Sequence, residues 1–302
     1  MPNAAPVTFP LGAPVVTGNQ ISVDTALNMP NYITRRLADL TLQRFIVDRI
    51  FSSSGQAVTG GAVIYDQLLT NQLFTARDVE RRMPSDEYPL VGSNRMAPMV
   101  ASVEDYGGKF FVTDEARRRN SAVLFNNQIQ QLANTIVRKV NTRAVATLQA
   151  SVAALAGDGT FAGHNWTSVV TAGTNATSAT GYPAADFAHA QLVADVKELG
   201  VTYDLWLLNP QEHATLATVY GPNLRLVLDS YGISTYATNR IPAGTAYAVA
   251  TGQVGFLDYE QGLMTVTWPD PGRVMSWVQS SVKPVMGITN PYSVLAVTGL
   301  AG

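Results

Sequence analysis

The chain has 302 residues, of which 46% are hydrophobic and 14% charged, and its formal net charge is −2. This charge argues against a basic field that would hold nucleic acid, and the absence of cysteine excludes disulfides, zinc–thiolate sites and thiol nucleophiles. The sequence shows no apolar run of about 18 residues, which predicts no membrane span, and its start, MPNAAPVTFP, predicts no signal peptide.

Residues 1–45 are predicted to form an N-terminal arm. Four prolines and two glycines punctuate residues 1–29, and such a segment cannot build a core alone. Pro30 to Leu42 is predicted to be a short helix with a stripe of Ile33, Leu37 and Leu40. The stretch FIVDRIF at residues 45–51 is predicted to be a strand.

Residues 46–112 are predicted to form an extended loop with its base strands. SSSGQAVTGG is rich in turn residues, AVIYDQLL suits a strand, and DVERRMPSDEYPLVGSNRM is dense in charge. The return stretch from Ala97 to Val112 alternates and leads into the next element. Because a lone two-stranded hairpin is only marginally stable in water, we expect this loop to need support from another chain.

Asp114 to Ala156 is predicted to be one long helix, because it contains neither glycine nor proline. Thr113 or Asp114 suits its N-cap, and Gly157 suits its C-terminal end. An unbroken helix of this length spans roughly 60 Å at 1.5 Å per residue, which favours a spine on which separate parts are mounted. Its apolar stripe consists of Phe125, Ile129, Leu132, Ile136, Val140, Ala144, Leu148, Val152 and Leu155.

The remainder is predicted to hold a loop, an α/β unit and a hairpin. Residues 113–183 comprise the spine helix and a loop, and residues 184–255 comprise helices at Asp186–Leu199 and Pro210–Tyr220 with strands at Tyr203–Asn209 and Tyr247–Ala250. Alternating runs on either side of a Pro-Asp-Pro-Gly turn predict a hairpin at residues 256–285. A final strand is predicted at residues 292–298, within a C-terminal segment of residues 286–302. The predicted inward side chains of the first helix are Phe187, Ala190, Leu192, Val193 and Val196.

No catalytic or metal-binding motif is evident. The three histidines lack metal-ligand spacing, and the sequence contains no HExxH, no GxxxxGK[ST], no GxSxG and no GxGxxG after a strand. This predicts no catalytic residues, no cofactor and no metal. Arg81 and Arg82 lie close to Asp86 and Glu87, and a strip that carries both signs suits pairing with a copy of itself.

Taken in this order, the elements resemble those of the major capsid proteins of tailed bacteriophages, which have the Hong Kong 97-like fold. The resemblance covers the whole chain and rests on the order and type of the elements. Short segments such as YDLWLLNPQEHATL and SVKPV support it. It implies an α+β phage capsid fold with an N-terminal arm, an extended β-loop, a peripheral domain with a long spine helix and an apical α/β domain. Residues 113–183 and 256–285 would be peripheral, residues 184–255 would be apical, and residues 286–302 would rejoin the apical domain.

The resemblance also implies partners and a mechanism. Copies of the chain would form hexamers and pentamers of an icosahedral virion shell around double-stranded DNA, assembled in the host cytoplasm with a portal. Residues 52–108 hold no lysine, so the Lys–Asn crosslink that some members form would be absent. Scaffolding would come from a separate protein, and a cement protein would be a further partner. We expect the subunit interface to include Arg77, Arg81, Arg82, Asp86, Glu87, Tyr88, Arg95, Trp268, Asp270 and Arg273.

Three other functions remain open, and one of them is a tail or fibre protein, against which the absence of an internal repeat counts. An encapsulin-type compartment would use the same fold to enclose a cargo enzyme, and it would need a docking groove that the sequence does not reveal. A soluble α/β enzyme with residues 184–255 as its core is the alternative from a different class. The absence of a convergent site in the sequence counts against the enzyme.

Overall fold

The computed structural model describes residues 22–41, 45–68, 74–75, 77–92, 98–155 and 157–301. The helices in these ranges are α1 Val23–Asn28, α2 Pro30–Thr41, α3 Val47–Ile50, α4 Asp114–Arg118, α5 Ala122–Ala154, α6 Pro183–Val196, α7 Pro210–Tyr220 and α8 Leu224–Tyr231. The strands are β1 Ala62–Asp66, β2 Pro98–Ser102, β3 Tyr106–Thr113, β4 Thr160–Ala162, β5 Leu205–Leu208, β6 Ser234–Ala237, β7 Thr245–Val249, β8 Gly255–Asp270, β9 Met275–Ile288 and β10 Val294–Thr298.

The chain divides into two compact units. The first unit comprises three segments, which are the chain up to Phe45, Val103–Val140 and Tyr259–Pro284. The second unit comprises Ile46–Ser102, Asn141–Asp258 and Val285–Gly302. Helix α5 and strands β8 and β9 each contribute residues to both units.

The first unit packs helices on a three-stranded sheet of order β3-β9-β8. Strand β3 runs antiparallel to β9, from Tyr106 opposite Val282 to Thr113 opposite Met275. One face of α5 buries Phe125, Ile129 and Ala133 against side chains of α1, α2 and the sheet. This core forms because apolar residues recur at helical spacing on α2 and α5 and meet the inward residues of β3 and β9.

The second unit is built around a five-stranded sheet of order β4-β10-β7-β5-β6. Strands β4 and β6 run parallel to their neighbours β10 and β5, whereas the β10–β7 and β7–β5 pairs are antiparallel. All four residues of β5 are buried, as the continuous apolar run LWLL predicts for a strand covered on both faces. Phe187 of α6 packs edge-on against Trp206 of β5, with ring centroids 4.6 Å apart.

Local capping explains why several elements begin where the sequence predicts. The Asn209 side chain accepts a hydrogen bond from the Gln211 backbone N–H at 3.0 Å, so α7 begins at Pro210. Thr113 caps α4 in the same way through the Ala116 N–H. The stripe predicted for the long helix is buried along α5 and just after it, except for Leu132, which is half-buried.

The prediction of one continuous helix from Asp114 to Ala156 is wrong at its beginning. Helix α4 ends at Arg118, and α5 begins at Ala122. Asn120 between them takes a positive φ of 48°, and its side-chain oxygen accepts a hydrogen bond from the Val23 backbone N–H at 2.9 Å. Asparagine tolerates this conformation better than most residues, so a contact with the arm interrupts the helix.

Three further predictions are corrected. Phe45–Phe51 is not a strand, because Ile46, Val47 and Ile50 are buried around the single helical turn of α3. Leu192 and Val196 of α6 do not point inward, and their side chains are 54% and 73% exposed. Within residues 1–29, where no element was predicted, α1 occupies Val23–Asn28 and is capped by Ser22.

Candidate assembly surfaces

The far end of the extended loop, residues 77–92, which we call the tip, contains an ordered turn. The Asp86 backbone N–H donates to the Met83 carbonyl at 3.1 Å, and Ser85 takes a positive φ of 76°. Arg82 closes this turn, because its Nη1 donates to the Asp86 carbonyl at 2.9 Å. The same guanidinium lies over the Tyr88 ring, 4.6 Å from its centroid. The tip therefore has a defined shape although it belongs to no helix or strand.

Large apolar side chains of the tip are exposed. Leu90 is 90% exposed and Val79 is 75% exposed, and Met83 and Tyr88 are exposed as well. Charged residues of both signs alternate with them, and Arg77 pairs with Glu80 at 2.8 Å. A run of apolar side chains with a charged border is typical of a protein interaction surface.

The beginning of the extended loop, Ser52–Ser54, is tied down by Asp258, and we call this contact the loop root. Asp258 is buried and accepts hydrogen bonds from Ser53 Oγ at 2.8 Å, from the Ser54 backbone N–H at 3.1 Å and from Ser54 Oγ. Ser52 also exchanges backbone bonds with Gly255 and Leu257. A buried carboxylate with this many donors is well stabilised, so the root is fixed.

Strands β1 and β2 continue the loop from this root. Ala62 pairs with Ser102 and Asp66 with Pro98 in an antiparallel register, as expected for a two-stranded excursion. Beyond β1, the Gln67 side chain donates to the Ile288 carbonyl at 3.2 Å. The base of the loop is thus held by the second unit, whereas Ile64 and Val100 of the ribbon stay exposed.

The turn between β8 and β9 forms a second candidate surface, in the first unit. The Asp270 carboxylate accepts a hydrogen bond from Trp277 Nε1 at 3.3 Å, and Phe111 packs edge-on against the Trp277 ring. Arg273 is exposed and Trp268 is half-buried. Val274 takes a left-handed conformation with φ 52° and ψ 49°, which is strained for a β-branched residue.

The structure brings together some of the interface residues predicted from sequence. Arg82, Asp86 and Tyr88 meet in the turn of the tip, with Arg81 and Glu87 beside them. Arg77 belongs to the same tip, whereas Trp268, Asp270 and Arg273 lie at the β8–β9 turn. Arg95 lies outside the described residues.

Asp258, Leu90 and Val274 are functional candidates that sequence reasoning missed. The Asp258 contact joins residues about two hundred positions apart in the chain, so no local pattern contains it. Valine ordinarily favours strands, so the residue type at position 274 gives no indication of the left-handed backbone there. Leu90 and Val91 follow Pro89 within a charged stretch, and this short apolar pair is the signal that the sequence offers.

His164, Trp166 and Asp186 form a hydrogen-bonded cluster in the second unit. His164 Nδ1 lies 2.7 Å from Asp186 Oδ1, and Trp166 Nε1 donates to Asp186 Oδ2 at 2.7 Å. The Asp186 carboxylate is buried, and it also accepts from the His164 backbone N–H at 3.1 Å. These hydrogen bonds hold a loop against α6. This structural role explains why the carboxylate is buried, and no catalytic role is needed to explain it.

Metal and membrane sites are not found in the part of the chain that the structure describes. It contains no group of three or more His, Cys, Asp or Glu side chains that could hold a metal ion. No described helix is both long and apolar enough for a transmembrane segment.

Solved structures with the same fold come from phages and from a virus-like particle. The virus-like particle from Pyrococcus furiosus has a TM-score of 0.57 at 13% identity over 89% of this chain and 99% of that one. The structure from Mycobacterium phage Bobi has a TM-score of 0.56 at 14% identity over 86% and 89%. The capsid of Cyanophage P-SCSP1u has a TM-score of 0.57 at 12% identity over 85% and 89%.

The model of the phage capsid protein family matches residues 97–297, which is more than half of the chain. A comparison with curated protein sequences finds no match. The α+β architecture and the structural likeness agree with the fold expected from the element order, the Hong Kong 97-like capsid fold. The chain belongs to the phage capsid protein family and is a structural protein of a virion shell.

Proposed function

We propose that this chain is a major capsid protein whose copies associate as hexamers and pentamers of an icosahedral shell enclosing double-stranded DNA. The exposed tip is the observation that carries the proposal. Its apolar side chains face solvent in a single chain, and its charges have both signs, so a second copy is a natural partner. Obligate interfaces of this kind bury thousands of Å² per subunit pair, roughly 2,000–5,000 Å².

The proposed assignment of residues to domains follows the family pattern. Residues 113–183 and 256–285 would form the peripheral domain, residues 184–255 the apical domain, and residues 46–112 the loop that reaches a neighbour. The arm of residues 1–45 and the β8–β9 turn would add further contacts between copies. The strained backbone and exposed side chain of Val274 support a contact role for that turn.

Noncovalent contacts would hold this shell together. Residues 52–108 contain no lysine, so the loop lacks the amine needed for a Lys–Asn crosslink. A separate scaffolding protein, a portal and a cement protein are the proposed partners, with assembly in the host cytoplasm. Packaged DNA would lie close to the inner surface without being bound tightly, because the net charge of −2 supplies no strong basic field to hold it.

An encapsulin-type compartment is the second candidate. The likeness to the virus-like particle from Pyrococcus furiosus, which covers 99% of that chain, is the observation that favours it. The two candidates differ in what the shell contains, which is DNA in one case and a cargo protein in the other.

Negative-stain electron microscopy of the chain expressed alone tests the proposal. We expect closed shells or rings of five and six copies. Shells recovered from infected cells should hold DNA that resists nuclease, whereas protein cargo would favour the compartment. A uniform monomer that stays monomeric with its scaffolding protein present would overturn both candidates and favour the soluble enzyme.

A further inference from the structure

The interruption between α4 and α5 lies in a segment that otherwise suits one helix, because residues 114–154 contain neither glycine nor proline. Asn120 takes a positive φ of 48° there. The Ser121 N–H donates to the Ala116 carbonyl at 2.9 Å, and the Asn120 N–H donates to the Arg117 carbonyl at 3.1 Å. These two bonds form a Schellman motif, in which glycine usually holds the left-handed position. Asn120 therefore holds that position at a small cost in free energy.

Helix α1 of the arm is bound at this interruption. The Val23 backbone N–H donates to Asn120 Oδ1 at 2.9 Å, and Asp24 forms an ion pair with Arg117. Val23 is the first residue of α1, so its N–H has no acceptor within that helix, and Asn120 supplies one. The same asparagine therefore ends α4 with its backbone and binds α1 with its side chain.

Apolar contacts hold α1 in this place. Val23 and Leu27 are buried, and they belong to the same core cluster as Phe125 and Ile129 of α5. The Leu27 carbonyl also accepts a hydrogen bond from Thr267 Oγ1 of β8 at 2.9 Å. Burial of apolar side chains stabilises the bound arm. This burial can offset the helical hydrogen bonds that the interruption removes from the spine.

The first turn of α5 shows what the interruption costs. Val123 and Leu124 lie in this turn, where backbone N–H groups have no acceptor within the helix, and both residues are exposed. In an uninterrupted helix, these N–H groups would bond to the carbonyls of Arg119 and Asn120. Asn120 would then have a right-handed backbone. Its side chain would no longer be directed at Val23, because side-chain direction follows backbone conformation. The bound arm and the joined helix therefore exclude each other.

We propose that bound α1 keeps α4 and α5 separate, and that release of α1 joins them in one helix. The arm and the beginning of the spine then form a two-state element, in which each position of the arm has its own conformation of residues 119–121. A partner that takes α1 from this site would change the spine without touching it. This inference goes beyond the proposed function, because it concerns a single chain and needs no shell.

Hydrogen–deuterium exchange of the unassembled subunit tests this coupling. Leu27→Asp places a charge in the apolar contact and should release α1. We expect exchange at residues 22–29 to accelerate. Exchange at Val123 and Leu124 should slow by about tenfold, because their N–H groups gain acceptors. Leu226→Asp on α8 is the matched control, since that side chain is 71% exposed and neither segment should change.

A substitution at the interruption separates joining of the helices from release of the arm. When Asn120→Gly is combined with Leu27→Asp, the slowing at residues 123–124 should disappear. Glycine keeps the left-handed conformation and is unfavourable inside a helix. Asp24→Arg, which faces Arg117 with a like charge, is a milder release variant that keeps the test open if Leu27→Asp does not fold. It should change exchange in both segments in the same directions as Leu27→Asp.

Two results would overturn the coupling. One is release of the arm with faster or unchanged exchange at residues 123–124, since α1 would then only cover α5. The other is slowing that persists with Asn120→Gly, because a joined helix would not be its cause. Both results come from the single subunit and leave the proposed function standing, whereas a chain that forms no shell would leave the coupling intact.

Discussion

The five-stranded sheet and the tip of the extended loop use apolar side chains in opposite ways. In the sheet, Trp206, Leu207 and Leu208 are wholly buried by neighbours from the same chain. In the tip, Val79, Met83 and Leu90 are exposed to solvent. Burial of apolar surface is the main stabilising term in both folding and association.

The difference separates the stability of the subunit from the stability of the shell. The sheet completes its burial within one chain, so its substitutions should change the free energy of unfolding. The tip contributes little burial within one chain, so its substitutions should change association and leave unfolding almost unaltered. The following variants test this separation in order of their expected effect on subunit unfolding.

Trp206→Ala should destabilise the subunit by about 3–5 kcal/mol, because it leaves a large cavity beside Phe187. Urea unfolding followed by circular dichroism measures this loss. The control is Leu192→Ala on α6, whose side chain is 54% exposed and whose loss should change stability by less than about 0.5 kcal/mol. Equal effects of the two variants would show that the sheet is not the main source of stability.

Asp258→Asn should weaken the loop root by about 1–3 kcal/mol, because an amide cannot accept all the hydrogen bonds that the carboxylate receives from Ser53 and Ser54. The loosening should be local. Hydrogen exchange should accelerate at residues 52–61 while the five-stranded sheet keeps its protection. Asp229→Asn on α8 is the matched control, and acceleration in that variant too would remove the special role of Asp258.

The sequence predicts a helix or strand best where a local sequence pattern determines it. Helix α7 follows from Asn209 and Pro210, and the β8–β9 hairpin follows from alternating runs around a proline–glycine turn. Prediction fails where a contact between residues distant in the sequence determines the local structure. The interruption of the spine at Asn120 depends on a bond to Val23, and residues 45–51 become a helical turn because Ile46, Val47 and Ile50 are all buried there.

The candidate site was predictable in its charges but not in its shape. Arg81, Arg82, Asp86 and Glu87 mark the tip as a strip of both signs in the sequence itself. The closure of the turn by Arg82 and the role of Asp258 depend on three-dimensional contacts that the sequence does not show. The sequence wrongly predicts that Leu192 and Val196 point inward, because α6 is apolar on several sides and helical periodicity then cannot single out a buried face.

Tyr203→Phe should cost about 1 kcal/mol at neutral pH, because the hydroxyl donates to the buried Tyr292 carbonyl at 2.9 Å. Burial raises the pKa of Tyr203, so the folded chain keeps the proton to higher pH than the unfolded chain. The stability that this proton contributes is complete below the unfolded pKa of about 10 and is lost as pH rises above it.

The difference between the natural chain and Tyr203→Phe should therefore shrink as pH rises above about 10. Thermal unfolding at several pH values measures it. The exposed Tyr32 supplies the control, since Tyr32→Phe removes a surface hydroxyl and should change stability by less than about 0.5 kcal/mol at neutral pH. A constant difference between Tyr203→Phe and the natural chain at all pH values would contradict a buried, neutral Tyr203.

Val274→Asn should stabilise the subunit by about 0.5–1 kcal/mol, because asparagine tolerates the left-handed backbone that valine adopts there. If the β8–β9 turn contacts another copy, shells of this variant should nevertheless dissociate at lower denaturant concentration, since an exposed apolar side chain is lost. Val266→Asn, on the regular part of β8, should give no such gain. A loss of subunit stability in Val274→Asn would show that the valine packs within its own chain.

Arg81→Glu combined with Arg82→Glu should have the smallest effect on folding and the clearest effect on assembly. Both side chains are exposed, so unfolding should change by less than about 0.5 kcal/mol. The turn of the tip would lose the Arg82 bond to the Asp86 carbonyl, and the tip would become uniformly acidic between residues 80 and 87. We expect folded subunits that form no closed shells, whereas Arg225→Glu on α8 should assemble normally. Normal shells from the double variant would show that the charged strip takes no part in association, and the separation between the sheet and the tip would then rest on apolar contacts alone.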